Sequence, residues 1–164
     1  MPYVTSMGEA LFIIVVLLSV MAFNERNRNL WYFITATLSG VLPSVTSQLI
    51  KTAEHAPRPL KLLDKVDWIH VLPEWPRLME RSFPSGHTTG AFSLFCFIAL
   101  LLPKEKRIYG ALFFVLALSV GYSRMYLAAH FFEDVYAGSI LGTGFSLLVI
   151  TVMNKCSRYF FPKG

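Results

Sequence analysis

Long apolar stretches separated by short polar connections dominate the pattern of this chain. Five such stretches cover residues 7–23, 30–50, 88–102, 108–122 and 135–153. A membrane-spanning helix needs about 20 apolar residues, so the third and fourth stretches are short and would gain length from the polar residues at their ends. The pattern predicts an all-α fold, a polytopic bundle of about five transmembrane helices that forms a single domain over residues 1–164.

The composition supports the membrane class. Hydrophobic residues make up 54% of the chain and charged residues 15%, whereas soluble domains carry about 25% charged residues. The net charge of +5 suits anionic headgroups or an anionic substrate. Nucleic acid is disfavoured as a partner, because the basic residues lie between apolar stretches. Cys96 and Cys156 share no metal-ligand spacing and are predicted to be free thiols.

Basic residues in the connections predict the orientation of the helices. They concentrate in three segments that alternate along the chain, namely Arg26 and Arg28, then Lys104, Lys106 and Arg107, then Lys155, Arg158 and Lys163. The positive-inside tendency makes these segments cytoplasmic. The N-terminus, the long loop of residues 51–87 and the turn at residues 123–134 then face outward. No basic n-region or cleavage site accompanies the first stretch, so it is predicted to be a retained span.

The long outer loop contains its own periodic pattern. Leu62, Leu63, Val66 and Ile69 recur at helical spacing, with charged residues between them. This pattern predicts a short amphipathic helix over residues 60–72, lying on the membrane surface. A packed loop that covers the bundle is the alternative, and the pattern leaves both open.

Residues suited to chemistry occur in three clusters on the outward side. The clusters are Lys51 and Arg58 after the second stretch, Ser85, Gly86 and His87 before the third, and Arg124, His130 and Asp134 after the fourth. Hydrophobicity alone does not require distant parts of the chain to place such residues at one depth of one membrane face. The convergence predicts a functional site there.

The residue types in these clusters favour phosphate chemistry. Three cations supply charge and guanidinium forks for phosphate oxygens, and Ser85 and Gly86 stand where a helix start would favour an anion. Asp134, four residues after His130, can hold one imidazole nitrogen protonated and leave the other free to attack phosphorus. His87 can protonate the departing oxygen and later activate water.

Each of these residues also has a purely structural interpretation. Lys51 could extend its amine to the interface from a helix end, Arg58 could lie in a solvated turn, and His130 and Asp134 could form a structural pair. The chain would lack a site only if all of these interpretations held at once, and polar residues at membrane depth are commonly functional.

The three clusters resemble the signature of the type 2 phosphatidic acid phosphatase (PAP2) superfamily. That signature is Lys, six residues and Arg-Pro; then Pro-Ser-Gly-His; then Ser-Arg, five residues, His, three residues and Asp. The chain matches every position from Lys51 to Asp134. The resemblance implies that His130 becomes phosphohistidine, that Asp134 orients it and that His87 is the general acid. It also implies that phosphate is bound without a metal or other cofactor by Lys51, Arg58, Ser85, Gly86 and Arg124.

The resemblance implies a lipid phosphatase of the bacterial inner membrane, with its site facing the periplasm or the outside. Its expected partners are membrane lipids and a lipid phosphomonoester or pyrophosphate; no protein partner is predicted. Lipid A 1-phosphate is the favoured substrate, and undecaprenyl pyrophosphate, phosphatidylglycerol phosphate and phosphatidic acid are alternatives. A lipid phosphotransferase and a non-catalytic lipid-binding protein remain competing hypotheses. Membrane members of the family commonly have six spans, one more than this pattern predicts.

Overall fold

A computed structural model describes residues 1–22, 29–63 and 79–160 of the chain. This part of the chain is helical, without strands, and contains two 3-10 turns, Ser6–Gly8 and Lys104–Lys106. Its α-helices are α1 (Pro2–Thr5), α2 (Ala10–Ala22), α3 (Asn29–Glu54), α4 (Pro59–Leu63), α5 (Gly86–Leu101), α6 (Tyr109–Tyr126) and α7 (Phe132–Phe160). The predicted all-α class is confirmed.

The helix boundaries differ from the predicted stretches mainly at the ends that carry polar residues. Helix α2 begins at Ala10, after a 3-10 turn, while α3 continues to Glu54 and α7 begins at Phe132. These extensions bring signature residues into regular helix, because backbone hydrogen bonding continues beyond the apolar stretch. Of the predicted interfacial helix, Pro59–Leu63 is helical; residues 64–78 lie outside the described residues.

Two stretches of the described chain are long and apolar enough to cross a membrane, Trp31–Leu63 and Phe132–Cys156. Helix α3 has 26 residues and α7 has 29, or about 39 and 44 Å at 1.5 Å per residue. The hydrocarbon core is about 30 Å thick. Ala10–Ser19 and Gly86–Leu101 are shorter apolar helices. The count of about five spans stays a prediction.

Helix α5 occupies the centre of the bundle and packs against α3, α6 and α7. Ala91, Leu94 and Phe95 form its buried core together with side chains of α6. Helix α7 lies close to the start of α5 at Gly138, where an added Cβ would lie 2.7 Å from the carbonyl oxygen of Ser85, and at Gly142, where it would lie 2.3 Å from the carbonyl oxygen of Thr89. The first turn of α5 is therefore fixed against α7.

Buried hydroxyl groups connect three helices within the apolar core. Ser93 of α5 donates to the carbonyl oxygen of Ser39 in α3. Ser146 of α7 donates to the carbonyl oxygen of Ser93 at 2.8 Å. Such bonds stabilise helix contacts in a membrane, where an unpaired hydroxyl group would have no water to bind.

Large apolar side chains cover the outer faces of the helices. Exposed examples are Leu11, Leu49, Leu112, Val115, Ile140 and Leu148. A water-soluble protein rarely presents such an extensive apolar surface. The outer faces therefore suit contact with lipid chains.

Residues 1–9, here called the N-terminal segment, contain α1 and the first 3-10 turn. They pack against the end of α6 and the start of α5. Thr5 is buried, and a Cβ at Gly8 would lie 2.5 Å from the carbonyl oxygen of His87. The segment thus lies at the end of the bundle that carries the predicted site residues.

Candidate active site

The structure brings the three predicted clusters together at one end of the bundle. Lys51 is in the last turn of α3, and Ser85 caps the start of α5. Arg124 is near the end of α6, and Asp134 is in the first turn of α7. The ionisable side chains of Lys51, Arg58, Arg124, His130 and Asp134 are all buried.

His130 and Asp134 form a hydrogen-bonded pair, with His130 Nδ1 3.3 Å from Asp134 Oδ2. The same carboxylate oxygen accepts the backbone N–H of Phe131 at 2.9 Å, which fixes the orientation of the carboxylate. The carboxylate favours a proton on Nδ1. His130 Nε2 then carries the lone pair, and it lies 3.4 Å from Arg58 Nη1.

The surroundings of His130 favour its neutral form. Burial lowers the pKa of His130, and the hydrogen bond to Asp134 only partly offsets this effect. The nearby charges of Arg58, Lys51 and Arg124 lower the pKa further, to about 4. The imidazole is therefore uncharged near neutral pH and retains a nucleophilic nitrogen.

Backbone carbonyl groups hold the cations beside His130. The Arg58 guanidinium donates to the carbonyl oxygens of Glu80 at 2.8 Å and Ala129 at 3.1 Å. Lys51 Nζ donates to the carbonyl oxygen of Arg81 at 3.0 Å. Glu80 and Arg81 of the long loop and Ala129 of the turn before α7 thereby hold the two side chains in place without neutralising their charge.

The start of α5 offers backbone donors beside these cations. The Ser85 hydroxyl accepts from Thr88 Oγ1 at 2.8 Å and from the Thr88 N–H at 3.4 Å, which caps the helix. An added Cβ at Gly86 would lie 3.9 Å from Lys51 Cε. The sequence suggested that the Ser85 N–H is available to an anion, but it donates to the carbonyl oxygen of Asp134 at 2.9 Å. The N–H groups of Gly86 and His87 remain as the first-turn donors.

The N-terminal segment supplies two contacts that the sequence did not predict. Thr5 Oγ1 accepts from Arg124 Nη1 at 2.9 Å, and both residues are buried. Glu9 Oε1 lies 3.9 Å from His87 Nε2. A single threonine and a single glutamate far from the signature form no pattern, so only the fold reveals them.

Ser82 is a further residue that the sequence analysis missed. Its fully buried hydroxyl donates to Asp134 Oδ2 and lies 3.4 Å from His130 Nδ1. Its backbone N–H donates to the carbonyl oxygen of Ala56 at 2.9 Å. Ser82 is two residues before the Pro84 that begins the second cluster, and a lone serine there carries no signal of its own.

The described residues contain no group of three or more His, Cys, Asp or Glu side chains arranged to hold a metal ion. Cys96 and Cys156 are both free thiols, as predicted.

Comparisons with known proteins give consistent relatives. Lipid A 1-phosphatase from Rhizobium johnstonii is 33% identical over 130 residues, which are 79% of this chain and 50% of that protein. The crystal structure of Aquifex aeolicus LpxE matches with a TM-score of 0.75 at 27% identity, covering 92% of this chain and 82% of that one. A transmembrane PAP2-type phosphatidylglycerolphosphate phosphatase from Bacillus subtilis matches with a TM-score of 0.74 at 25% identity, covering 96% and 77%.

The family model of the PAP2 superfamily matches residues 29–158. This range is more than half of the chain, and it contains all three clusters of the site. The chain spans about half of the length of the Rhizobium relative, while the two matched structures cover 92% and 96% of this chain. The resemblance inferred from the signature is confirmed: the chain belongs to the PAP2 superfamily.

Proposed function

We propose that this protein is an integral membrane lipid phosphatase that works through a phosphohistidine intermediate. One observation carries the proposal. A carboxylate-oriented imidazole, His130, is buried beside the cation Arg58 at the end of an apolar helical bundle. An oriented nucleophile and fixed positive charge are what phosphoryl transfer needs.

In the first step, the phosphate group lies among Lys51, Arg58, Arg124 and the N–H groups of the first turn of α5. The lone pair of His130 Nε2 attacks phosphorus and forms a P–N bond, while the bond from phosphorus to the lipid oxygen breaks. His87, protonated when the anionic phosphate is bound beside it, gives its proton to that oxygen, so the lipid leaves as a neutral alcohol, or as a monophosphate if the substrate is a pyrophosphate.

In the second step, His87 accepts a proton from a water molecule as the water oxygen attacks phosphorus. The P–N bond breaks, inorganic phosphate is released, and His130 regains its lone pair. Asp134 stabilises the cationic imidazole ring during both steps. No step needs a metal ion, and metal independence is part of the proposal.

An apolar groove of about 440 Å³ between α2 and α3 supports a lipid substrate. Its lining includes Ile13, Leu17, Phe33, Ala36, Val41 and Val45. Val45 is six residues before Lys51, which is about 9 Å along the helix. At the other wall, α2 begins directly after Glu9, which faces His87. An alkyl chain in the groove would therefore place its headgroup near the cations.

We favour lipid A 1-phosphate as the substrate, which the similarity to the Rhizobium lipid A 1-phosphatase supports. Undecaprenyl pyrophosphate and phosphatidylglycerol phosphate are proposed as alternatives. The proposed location is the bacterial inner membrane, crossed about five times, with the site facing the periplasm. Alternating helix directions support this arrangement, because they put the N-terminal segment and the site at one end and Lys104–Lys106 at the other.

The test is release of inorganic phosphate in detergent by wild type and His130→Ala, with a chelator present throughout. The panel contains lipid A, undecaprenyl pyrophosphate, phosphatidylglycerol phosphate and phosphatidic acid. Wild type is expected to release phosphate from at least one lipid, while His130→Ala, correctly folded, releases none. Activity of His130→Ala would refute the nucleophile, and a loss on chelation that added metal restores would refute the mechanism.

A phosphotransferase is distinguished in the same assay. A phosphotransferase would release little phosphate when an acceptor lipid is present, because it would transfer the phosphoryl group to that lipid. Failure of folded wild type to process any lipid, with or without an acceptor, would favour a binding protein.

A further inference from the structure

Ser82 lies outside the family signature, yet its side chain contacts both members of the His130–Asp134 pair. We propose that Ser82 is a positioning residue, which holds the Asp134 carboxylate and, through it, the imidazole of His130 in the tautomer that attacks phosphorus. This inference rests on the proposed function, because it assigns Ser82 a role in the same reaction.

The hydrogen-bond geometry at Asp134 supports this role. Asp134 Oδ2 accepts from the Ser82 hydroxyl, from the Phe131 N–H at 2.9 Å and from His130 Nδ1 at 3.3 Å. Three donors from three directions define the position of one carboxylate oxygen. Without Ser82, the carboxylate would keep one backbone donor and could rotate away from the imidazole.

The Ser82 hydroxyl also acts on the imidazole directly. Its proton points to Asp134, so the oxygen presents a lone pair to His130 Nδ1, 3.4 Å away. A proton on Nδ1 then lies between two acceptor oxygens, Ser82 Oγ and Asp134 Oδ2. In the other tautomer, the lone pair of Nδ1 would face both oxygens and be repelled by them. The arrangement favours the tautomer with its proton on Nδ1 and its lone pair on Nε2, which faces Arg58.

The backbone of Ser82 is anchored to the first cluster, which makes its side chain a fixed support. Its N–H donates to the carbonyl oxygen of Ala56 at 2.9 Å, and its own carbonyl oxygen accepts from Lys51 Nζ at 3.5 Å. Ser82 therefore connects the segment that carries Lys51 and Arg58 to the pair in the third cluster.

The experiment compares Ser82→Ala with wild type on the lipid that wild type hydrolyses. The matched control is Ser146→Ala, which removes a fully buried hydroxyl with a 2.8 Å hydrogen bond from α7, about 18 Å along the helix from Asp134. We expect Ser82→Ala to lower kcat by roughly ten- to hundredfold and to change KM by less than about threefold. Ser146→Ala should keep the wild-type kcat.

The pH profile separates positioning from a merely structural role. Arg58, Lys51, Arg124 and Asp134 act on the charge of His130, and all four remain in Ser82→Ala. Without the Ser82 donor the Asp134 carboxylate can turn away, and the hydrogen bond that raises the pKa of His130 weakens, so the acid limb of kcat/KM should move to lower pH in this variant. Ser82→Thr keeps the hydroxyl group. This variant should therefore have the acid limb at the wild-type pH and most of the wild-type kcat.

Three results would overturn the inference. These are a kcat for Ser82→Ala within threefold of the control, an unshifted acid limb, or a loss of activity that Ser82→Thr does not reverse although it folds. If Ser82→Ala does not fold, Ser82→Cys, a weaker donor of similar shape, replaces it with the same expected directions. Failure of the proposed function would appear differently, as inactive wild type or active His130→Ala.

Discussion

At the scale of single residues, Lys51 and Arg58 are two buried cations held in place by neutral groups. Lys51 and Arg58 donate to backbone carbonyl groups, which orient them but carry no net charge. The buried carboxylate among the described site residues, Asp134, is already bonded to Ser82, Phe131 and His130. Under the proposed function, an arriving phosphate meets these two cations without displacing a carboxylate from a direct hydrogen bond to them.

The lowered pKa of His130 can be measured directly. Its folded value of about 4 lies below the ordinary value of about 6.5, so the native state resists protonation. We expect the ¹⁵N NMR signals of His130, identified by their absence in His130→Ala, to titrate well below pH 6.5. The contribution of this group to stability is fully present above about pH 6.5 and is lost as the pH falls towards 4. Titration at or above pH 6.5 would contradict the buried, neutral imidazole.

Sequence alone locates the residues whose spacing forms a signature and misses those that reach the site from distant segments of the chain. His130 and Asp134 are four residues apart, so helical geometry predicts their contact. Ser82 and Thr5 reach the site from separate segments of the chain, and no local pattern expresses such a distant contact. The use of the Ser85 N–H by Asp134 was missed for the same reason.

At the scale of helices, contact between α5 and α7 fixes the start of α5. Gly138→Ala would place a Cβ 2.7 Å from the Ser85 carbonyl oxygen, a backbone atom that cannot rotate away. We expect this variant to lower both the Tm in detergent and the phosphatase activity, because the first turn of α5 must shift. Gly144→Ala is the control, since its Cβ meets nothing within 4 Å and alanine favours a helix. Equal behaviour of the two variants would exclude this packing constraint.

The N-terminal segment contacts the site through Thr5. Thr5→Val keeps the shape of the side chain but removes the acceptor of the 2.9 Å bond from Arg124. A hydrogen bond to a charged group contributes about 1.5–3 kcal/mol, so we expect kcat/KM to fall at least tenfold. Thr151→Val, which removes an exposed hydroxyl bonded within α7, should have no effect. A Thr5→Val enzyme with wild-type kcat/KM would show that Arg124 does not depend on this contact.

Hydropathy predicted which parts of the chain form the helices of the bundle, because each apolar stretch needs internal backbone hydrogen bonds in a membrane. It did not predict α1 or the turn at Ser6–Gly8, which are too short for periodicity and are held by tertiary contacts. Gly8, against the backbone of His87, shows that close packing rather than hydrophobicity determines this part of the fold.

At the scale of the whole molecule, the orientation can be tested with a membrane-impermeant thiol reagent. Cys96 and Cys156 are first replaced by Ser, and a single cysteine is then introduced at Glu80 or Glu105, both exposed. The vesicles are prepared right-side-out, with the periplasmic face of the inner membrane outside. Glu80→Cys should then be labelled in intact vesicles, while Glu105→Cys should react only after detergent is added. The reverse pattern would place the site in the cytoplasm and refute the proposed topology.

The contact between Thr5 and Arg124 joins residues 119 positions apart, and this separation has a consequence for biosynthesis. A ribosome adds about 5–20 residues per second, so Thr5 waits roughly 6 to 24 seconds before its partner has been synthesised. His130 and Asp134 follow later still. A nascent chain that ends before Asp134 consequently lacks part of the proposed site, so catalytic activity requires that synthesis has passed this residue.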